Sequence, residues 1–183
     1  DGTDIRREHG LHRPRQTIDA GLANRVTDPR EAAPLDVLAP ARPLHPKVGV
    51  SVVIFTLMPS RGPLQTMAVL LVRRTKRPYE NRWALPGGWV HEGYSLTEAA
   101  RWQLEDKTGL TPDYVEQLYT FGLPDRDPRE HRIAVTYYAL AKWDEQTIEA
   151  GPGTSAAKWF GIDDLPVPLA FDNGEIIAYA VRR

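Results

Sequence analysis

The chain has 183 residues, of which 42% are hydrophobic and 26% charged. That length predicts one domain of about 100–150 residues plus an extension, and the composition excludes wholesale disorder. Lys and Arg number 23 against 24 Asp and Glu, and Cys is absent. The near-zero net charge argues against a nucleic-acid binder that uses its whole surface, while leaving room for a local basic patch. The lack of cysteine excludes a disulfide scaffold, a thiolate metal site and a cysteine nucleophile, and it fits a reducing compartment.

Residues 1–46 differ from the remainder. They contain six prolines (14, 29, 34, 40, 43 and 46), with seven arginines balanced by seven acids. This composition predicts an extended or loosely packed N-terminal arm, either a floppy leader or a strap around a partner subunit. Thr17–Val26 is the one stretch with helical character, bracketed by Pro14 and Pro29. The chain opens on Asp1 rather than Met, so the expectation is a missing or processed start.

From Lys47 the pattern is globular. Val48–Met58 is rich in β-branched residues and reads as a core strand, being 11 residues long and too short to span a membrane, which takes roughly 18 or more. Gln65–Arg73 is its hairpin partner across an Arg61-Gly62-Pro63 turn. Trp83–Leu85 forms a short strand that Pro86-Gly87-Gly88 stops. Ser95 followed by Glu98 is a capping box opening a helix that runs to Thr108, where Gly109 suits the left-handed position.

Tyr114–Phe121 and Ile133–Trp143 are further strands separated by the polar loop Gly122–Arg132, and Ala156–Phe160 is the last. Asp172 with Glu175 marks a second capping box and a helix from Asn173, with Ile176, Ile177, Ala180 and Val181 on one face. That helix reaches Arg183 without a stop signal. The expectation is a fragment, or a further domain beyond Arg183. The absence of a signal peptide or membrane span predicts a soluble, cytoplasmic chain.

The segment Gly88–Leu110 resembles the Nudix box: Gly, five residues, Glu, seven residues, Arg-Glu, an apolar residue, any residue, Glu-Glu, any residue, Gly, an apolar residue. Gly88, Leu104, Gly109 and Leu110 fit this frame. The charged places do not. Tyr94 replaces the first Glu, Trp102-Gln103 replaces Arg-Glu, and Asp106-Lys107 replaces Glu-Glu. Positions 103, 106 and 107 share one helix face by their spacing. In active members that face carries carboxylates that hold a divalent ion against a diphosphate. Here it is formally neutral, and hard cations need carboxylate oxygens. Glu98 and Glu105 point to the opposite side of the helix. The expectation is therefore no resident cofactor, with Mg²⁺ or Mn²⁺ required only if the protein is hydrolytic. Asp106 is the weak metal candidate, and Asp106 and Glu92 are the catalytic candidates.

A second resemblance narrows the group. Arg77–Gly88, Tyr119–Gly122, Asp125–Arg129, Val135–Leu140 and Leu165–Asp172 are similar to text in ADP-ribose hydrolases and in the Nudix-related transcriptional regulators of NAD metabolism. The resemblance spans residues 47–183. It implies a Nudix α/β/α sandwich with a mixed sheet and a helix on each face. It further implies a homodimer, and DNA binding only through a C-terminal winged helix that would lie beyond Arg183. The resulting division is an arm (1–46), a Nudix-like domain (47–170) and a C-terminal helix (171–183).

Ligand chemistry is also legible from the residues. Arg73, Arg74, Lys76, Arg77 and Arg82 place five cations within ten positions, which either form a solvated basic turn or grip a diphosphate. Trp83, Trp89 and Tyr79 stand nearby as stacking surfaces for adenine. Gly88 is a further candidate ligand-binding residue. Asp127 and Arg129, in a loop of alternating charge, either pair locally or touch a ribose and phosphate. Lys107 is a surface lysine or an ammonium in the place of the lost metal. His91 and Trp102 read as surface and packing residues.

The leading expectation is a non-hydrolytic sensor of ADP-ribose or a related nucleoside diphosphate derivative. The alternatives are a divergent pyrophosphohydrolase and a Nudix scaffold turned to other chemistry.

Overall fold

The computed structural model describes residues 45–59, 64–143 and 147–183. Residues 1–44 of the expected 1–46 arm, its short helix and the Arg61-Gly62-Pro63 turn lie outside the described residues. His45–Arg183 forms one compact unit. Its elements in chain order are β1 (Lys47–Pro59), β2 (Gln65–Arg74), β3 (Trp83–Ala84), β4 (Gly87–Trp89), α1 (Leu96–Thr108), β5 (Val115–Phe121), β6 (Arg132–Leu140), β7 (Thr154–Gly161) and α2 (Asn173–Arg182).

The strands make one mixed sheet. β1 runs antiparallel to β2 through Phe55–Pro59 and parallel to β6 through Lys47–Phe55, while β5 closes the edge beyond β6. On the other side β2 carries β7 along most of its length and β3 at Val72 and Arg73.

β1 is central and buried on both faces, which explains its near-continuous apolar run. Alternation sends Val52 and Ile54 to one side and Val53 and Phe55 to the other. The first pair packs with Ala99, Ala100 and Leu104 of α1, the second with Ile176 and Ile177 of α2. The result is the expected three-layer α/β/α arrangement. Burying each of these large side chains contributes about 1.5–3 kcal/mol.

α1 begins and ends as its sequence dictates. The Ser95 hydroxyl accepts the Glu98 amide, the Glu98 carboxylate accepts the Ser95 amide, and Gly109 takes φ 73°. Two local expectations are corrected. The strand at Trp83 does end before Pro86, at Ala84 rather than Leu85, but Gly87 and Gly88 then open a second strand, β4, antiparallel to Gly49–Ser51 of β1. Glycine is needed there because a Cβ on Gly87 would stand 2.3 Å from the Val50 carbonyl.

The second capping box does not form. The Asp172 side chain makes no cap hydrogen bond and is taken instead by Arg126. On α2, Ile176 and Ile177 are buried while Val181 is exposed. No helix among the described residues is long and apolar enough to cross a membrane.

Candidate functional site

Where β1, β4 and β6 meet, the sheet opens into a cleft. Its walls come from the 122–131 loop and from the residues leading into α2. Arg74, Arg126, Arg129 and Arg132 all line it, together with Gly88, Trp89, Asp127, Phe171 and Asn173. Arg74 arrives from the end of β2, Arg132 from the start of β6, and Arg126 and Arg129 from the loop between β5 and β6.

Asp127 organises this cationic wall. Only 5% of it is exposed. Its carboxylate accepts Nε and Nη2 of Arg129 at 2.9 and 2.7 Å and the Arg129 amide at 3.0 Å, and it pairs with Arg132 at 3.3 Å. Burial pushes the Asp127 carboxyl up, but the hydrogen bonds and charge of Arg129, with the charge of Arg132, win and hold it below the ordinary carboxylate value. Arg132 also pairs with Glu130 and lies 4.2 Å from the Trp89 ring centroid.

Arg74 is held differently. It donates to the carbonyls of Pro78 and Lys76, and its guanidinium sits 4.9 Å from the Phe171 ring. Among the described residues its hydrogen bonds reach no carboxylate. Burial, and then the charges of Arg129 and Arg132, pull its pKa down against Asp127. The cleft thus presents a half-buried cation whose hydrogen bonds reach no carboxylate, a setting suited to an anionic ligand.

Two further grooves adjoin the cleft and share residues with it. One is bounded by Arg77, Tyr79, Arg82 and Arg129, the other by Arg74, Arg77, Arg129 and Lys107. Of the residues singled out from sequence, the cleft gathers Arg74, Gly88, Trp89, Asp127 and Arg129, and the grooves add Arg77, Arg82 and Lys107. Arg73 lines none of the three and donates to the Asn81 carbonyl. Trp83 packs against Phe160 with ring centroids 4.7 Å apart, on the α2 side of the core. Glu92 is exposed on the loop before α1.

Arg126, Arg132, Phe171 and Asn173 were not selected from sequence. Arg126 stood inside the alternating loop and carried a usable signal. Phe171 lies in the Leu165–Asp172 segment of the resemblance, but only the tertiary fold brings it and Asn173 to the cleft.

The helix face that could hold a metal is spoken for. Gln103 is 3% exposed and donates Nε2 to the Trp89 carbonyl at 2.9 Å. Lys107 binds the Asp106 carboxylate and the Pro152 carbonyl. The face therefore offers one carboxylate, already matched by an ammonium, and this donor set does not fit a divalent cation. Among the described residues no three His, Cys, Asp or Glu stand together as a metal cluster. Trp102 packs edge-on to His91, centroids 4.8 Å apart, at the surface.

A glycine-bearing strand leads into a capped helix that packs on one face of a mixed sheet, beside an arginine-lined cleft, as the Nudix-box resemblance implies. The chain matches the NUDIX domain family over residues 47–180, and it belongs to that family.

Among curated proteins it is 34% identical over 139 residues to an ADP-ribose pyrophosphatase of Methanocaldococcus jannaschii, covering 76% of this chain and 75% of that one. It is 32% identical over 143 residues to the ADPR responsive transcriptional repressor NtrR of Acinetobacter baylyi, covering 75% of this chain and 54% of that protein. Among solved structures, the NUDIX domain of Shewanella oneidensis NrtR complexed with ADP ribose superposes with a TM-score of 0.69 at 33% identity. That match covers 83% of this chain and 99% of the other.

Proposed function

We propose that this chain binds ADP-ribose, or a related nucleoside diphosphate derivative, without cutting it, as the effector-binding half of a transcriptional regulator. One observation carries the reading. The cleft keeps its arginines, while the helix face that would hold a metal ion has become Gln103 with an internal Asp106–Lys107 pair. Arg74 and Arg129 meet the diphosphate, and Trp89 offers an aromatic face, while Lys107 is neutralised by Asp106. Mg²⁺ and Mn²⁺ are dispensable in this reading. The similarity to a repressor responsive to ADPR and to an ADP-ribose-bound domain supports the ligand class. On the same reading the protein is a cytoplasmic homodimer, and DNA is reached through a winged helix outside these residues.

Calorimetric titration with ADP-ribose, with and without Mg²⁺, tests this. Saturable heat that is the same in both titrations supports it, and no heat in either sinks it.

A divergent hydrolase producing AMP and ribose 5-phosphate is the second reading, favoured by the similarity to the archaeal pyrophosphatase. It would require Asp106, with Glu92 or Asp127, to recruit the ion. Mg²⁺- or Mn²⁺-dependent turnover that disappears in Asp106→Asn would establish the hydrolase and displace the sensor.

A further inference from the structure

Three consecutive residues at the head of α2 are wired to the cleft. Phe171 lies under two of its guanidiniums, Arg74 at 4.9 Å and Arg129 at 5.5 Å. Asp172 receives Arg126 bidentately at 2.7 and 2.8 Å, with both side chains largely buried. The Asn173 Oδ1 accepts the Leu85 amide at 2.8 Å. The chain just before is fixed as well, since the Ala170 amide donates to the Trp83 carbonyl. Phe171 and Asp172 are therefore held between two anchors, at Trp83 of β3 and at Leu85 just after it, and Phe171 takes φ 54°, a left-handed conformation that a bulky residue seldom adopts.

Asp172 stands at the N-cap of α2, where an aspartate side chain ordinarily accepts the amides of the second or third helical residue. It does not, because Arg126 holds it and its backbone, at ψ 19°, is not in the extended conformation of a cap. One carboxylate thus has two competing uses, as counter-ion to a cleft arginine or as cap of the helix.

We propose that Asp172 is a ligand-operated helix cap. An anion entering the cleft recruits Arg126, and the released Asp172 turns to accept the amides of Gly174 and Glu175. Cleft occupancy is thereby written onto the first turn of α2. The inference rests on the proposed anionic ligand, but one arm of its test requires no ligand.

Amide hydrogen exchange of the full chain reads the switch. ADP-ribose, and inorganic pyrophosphate as a minimal probe, should slow exchange at Gly174 and Glu175 about fivefold, the factor that a side-chain cap confers. Asp172→Ala should lose that slowing, with calorimetry on the same sample reporting occupancy. Arg126→Gln should show the slowed exchange with no ligand added.

Saturated wild-type protein with unchanged exchange at both amides would overturn the cap while leaving the binding proposal standing. Absence of heat with ADP-ribose would fail the binding proposal instead. Arg126→Gln then still decides the cap, because unaltered exchange in that variant refutes it.

Discussion

The Gln103 side chain donates to the backbone carbonyl of Trp89 at 2.9 Å, bolting α1 to the last residue of β4. A carboxylate at position 103 would face the same carbonyl with no proton to give. The Nudix-box pattern has a glutamate at this place, whereas here a glutamine ties the helix to the strand.

Gln103→Glu should therefore destabilise the domain by about 1–3 kcal/mol at neutral pH, the usual effect of a buried polar group stripped of its partner. Urea unfolding measures it. An unchanged midpoint would show that the Gln103–Trp89 bond contributes nothing to stability.

Gly87→Ala and Gly88→Ala separate two kinds of crowding. The new Cβ at 87 meets backbone, the Val50 carbonyl at 2.3 Å and the Ser51 Cα at 2.9 Å, whereas at 88 it meets the end of the Gln103 side chain at 2.3 Å. A side chain can turn away and a paired strand cannot. Gly88→Ala should cost about 1–3 kcal/mol, as overpacking does, and Gly87→Ala more. Thermal melts should rank them in that order.

The depressed pKa of Asp127 fixes the sign of its pH dependence. A carboxyl with a folded value below its unfolded value of about 3.9 adds stability above that pH and loses it as the pH falls through the folded value. Wild-type stability should drop below about pH 4 more steeply than that of Asp127→Asn, which has no proton to take up at this position. Parallel denaturation curves from pH 2 to 6 reveal the difference, and superimposable acid limbs would contradict it.

Arg74 and Trp83 should part company in binding. Arg74→Gln removes a charged donor from the cleft and should weaken ADP-ribose by about tenfold or more, since hydrogen bonds to charged groups contribute about 1.5–3 kcal/mol. Trp83→Phe alters core packing against Phe160 and should lower the melting temperature while leaving affinity within about twofold. Calorimetry and melts on the same two variants test the assignment, which a reversed pattern would undo.

The sequence by itself determined the elements whose signals are local. α1 was legible at both ends because a capping box and a left-handed glycine act within a few residues of themselves. The long β1 was legible because burial on both faces leaves an unbroken apolar run. Arg74, Asp127 and Arg129 stand out in the sequence through charge density and alternation in two short segments, and all three line the cleft.

Tertiary structure decided the rest. Trp83 and Trp89 look alike in sequence, yet the sheet turns Trp83 toward Phe160 and leaves Trp89 beneath Arg132. The motif at Asp172 and Glu175 is as good a capping box as the one at Ser95 and Glu98. It is overridden because the fold brings Arg126, 46 positions away in the chain, into bidentate contact with Asp172. A charged partner competes with backbone amides for one carboxylate, and no local pattern records a partner that only long-range packing supplies.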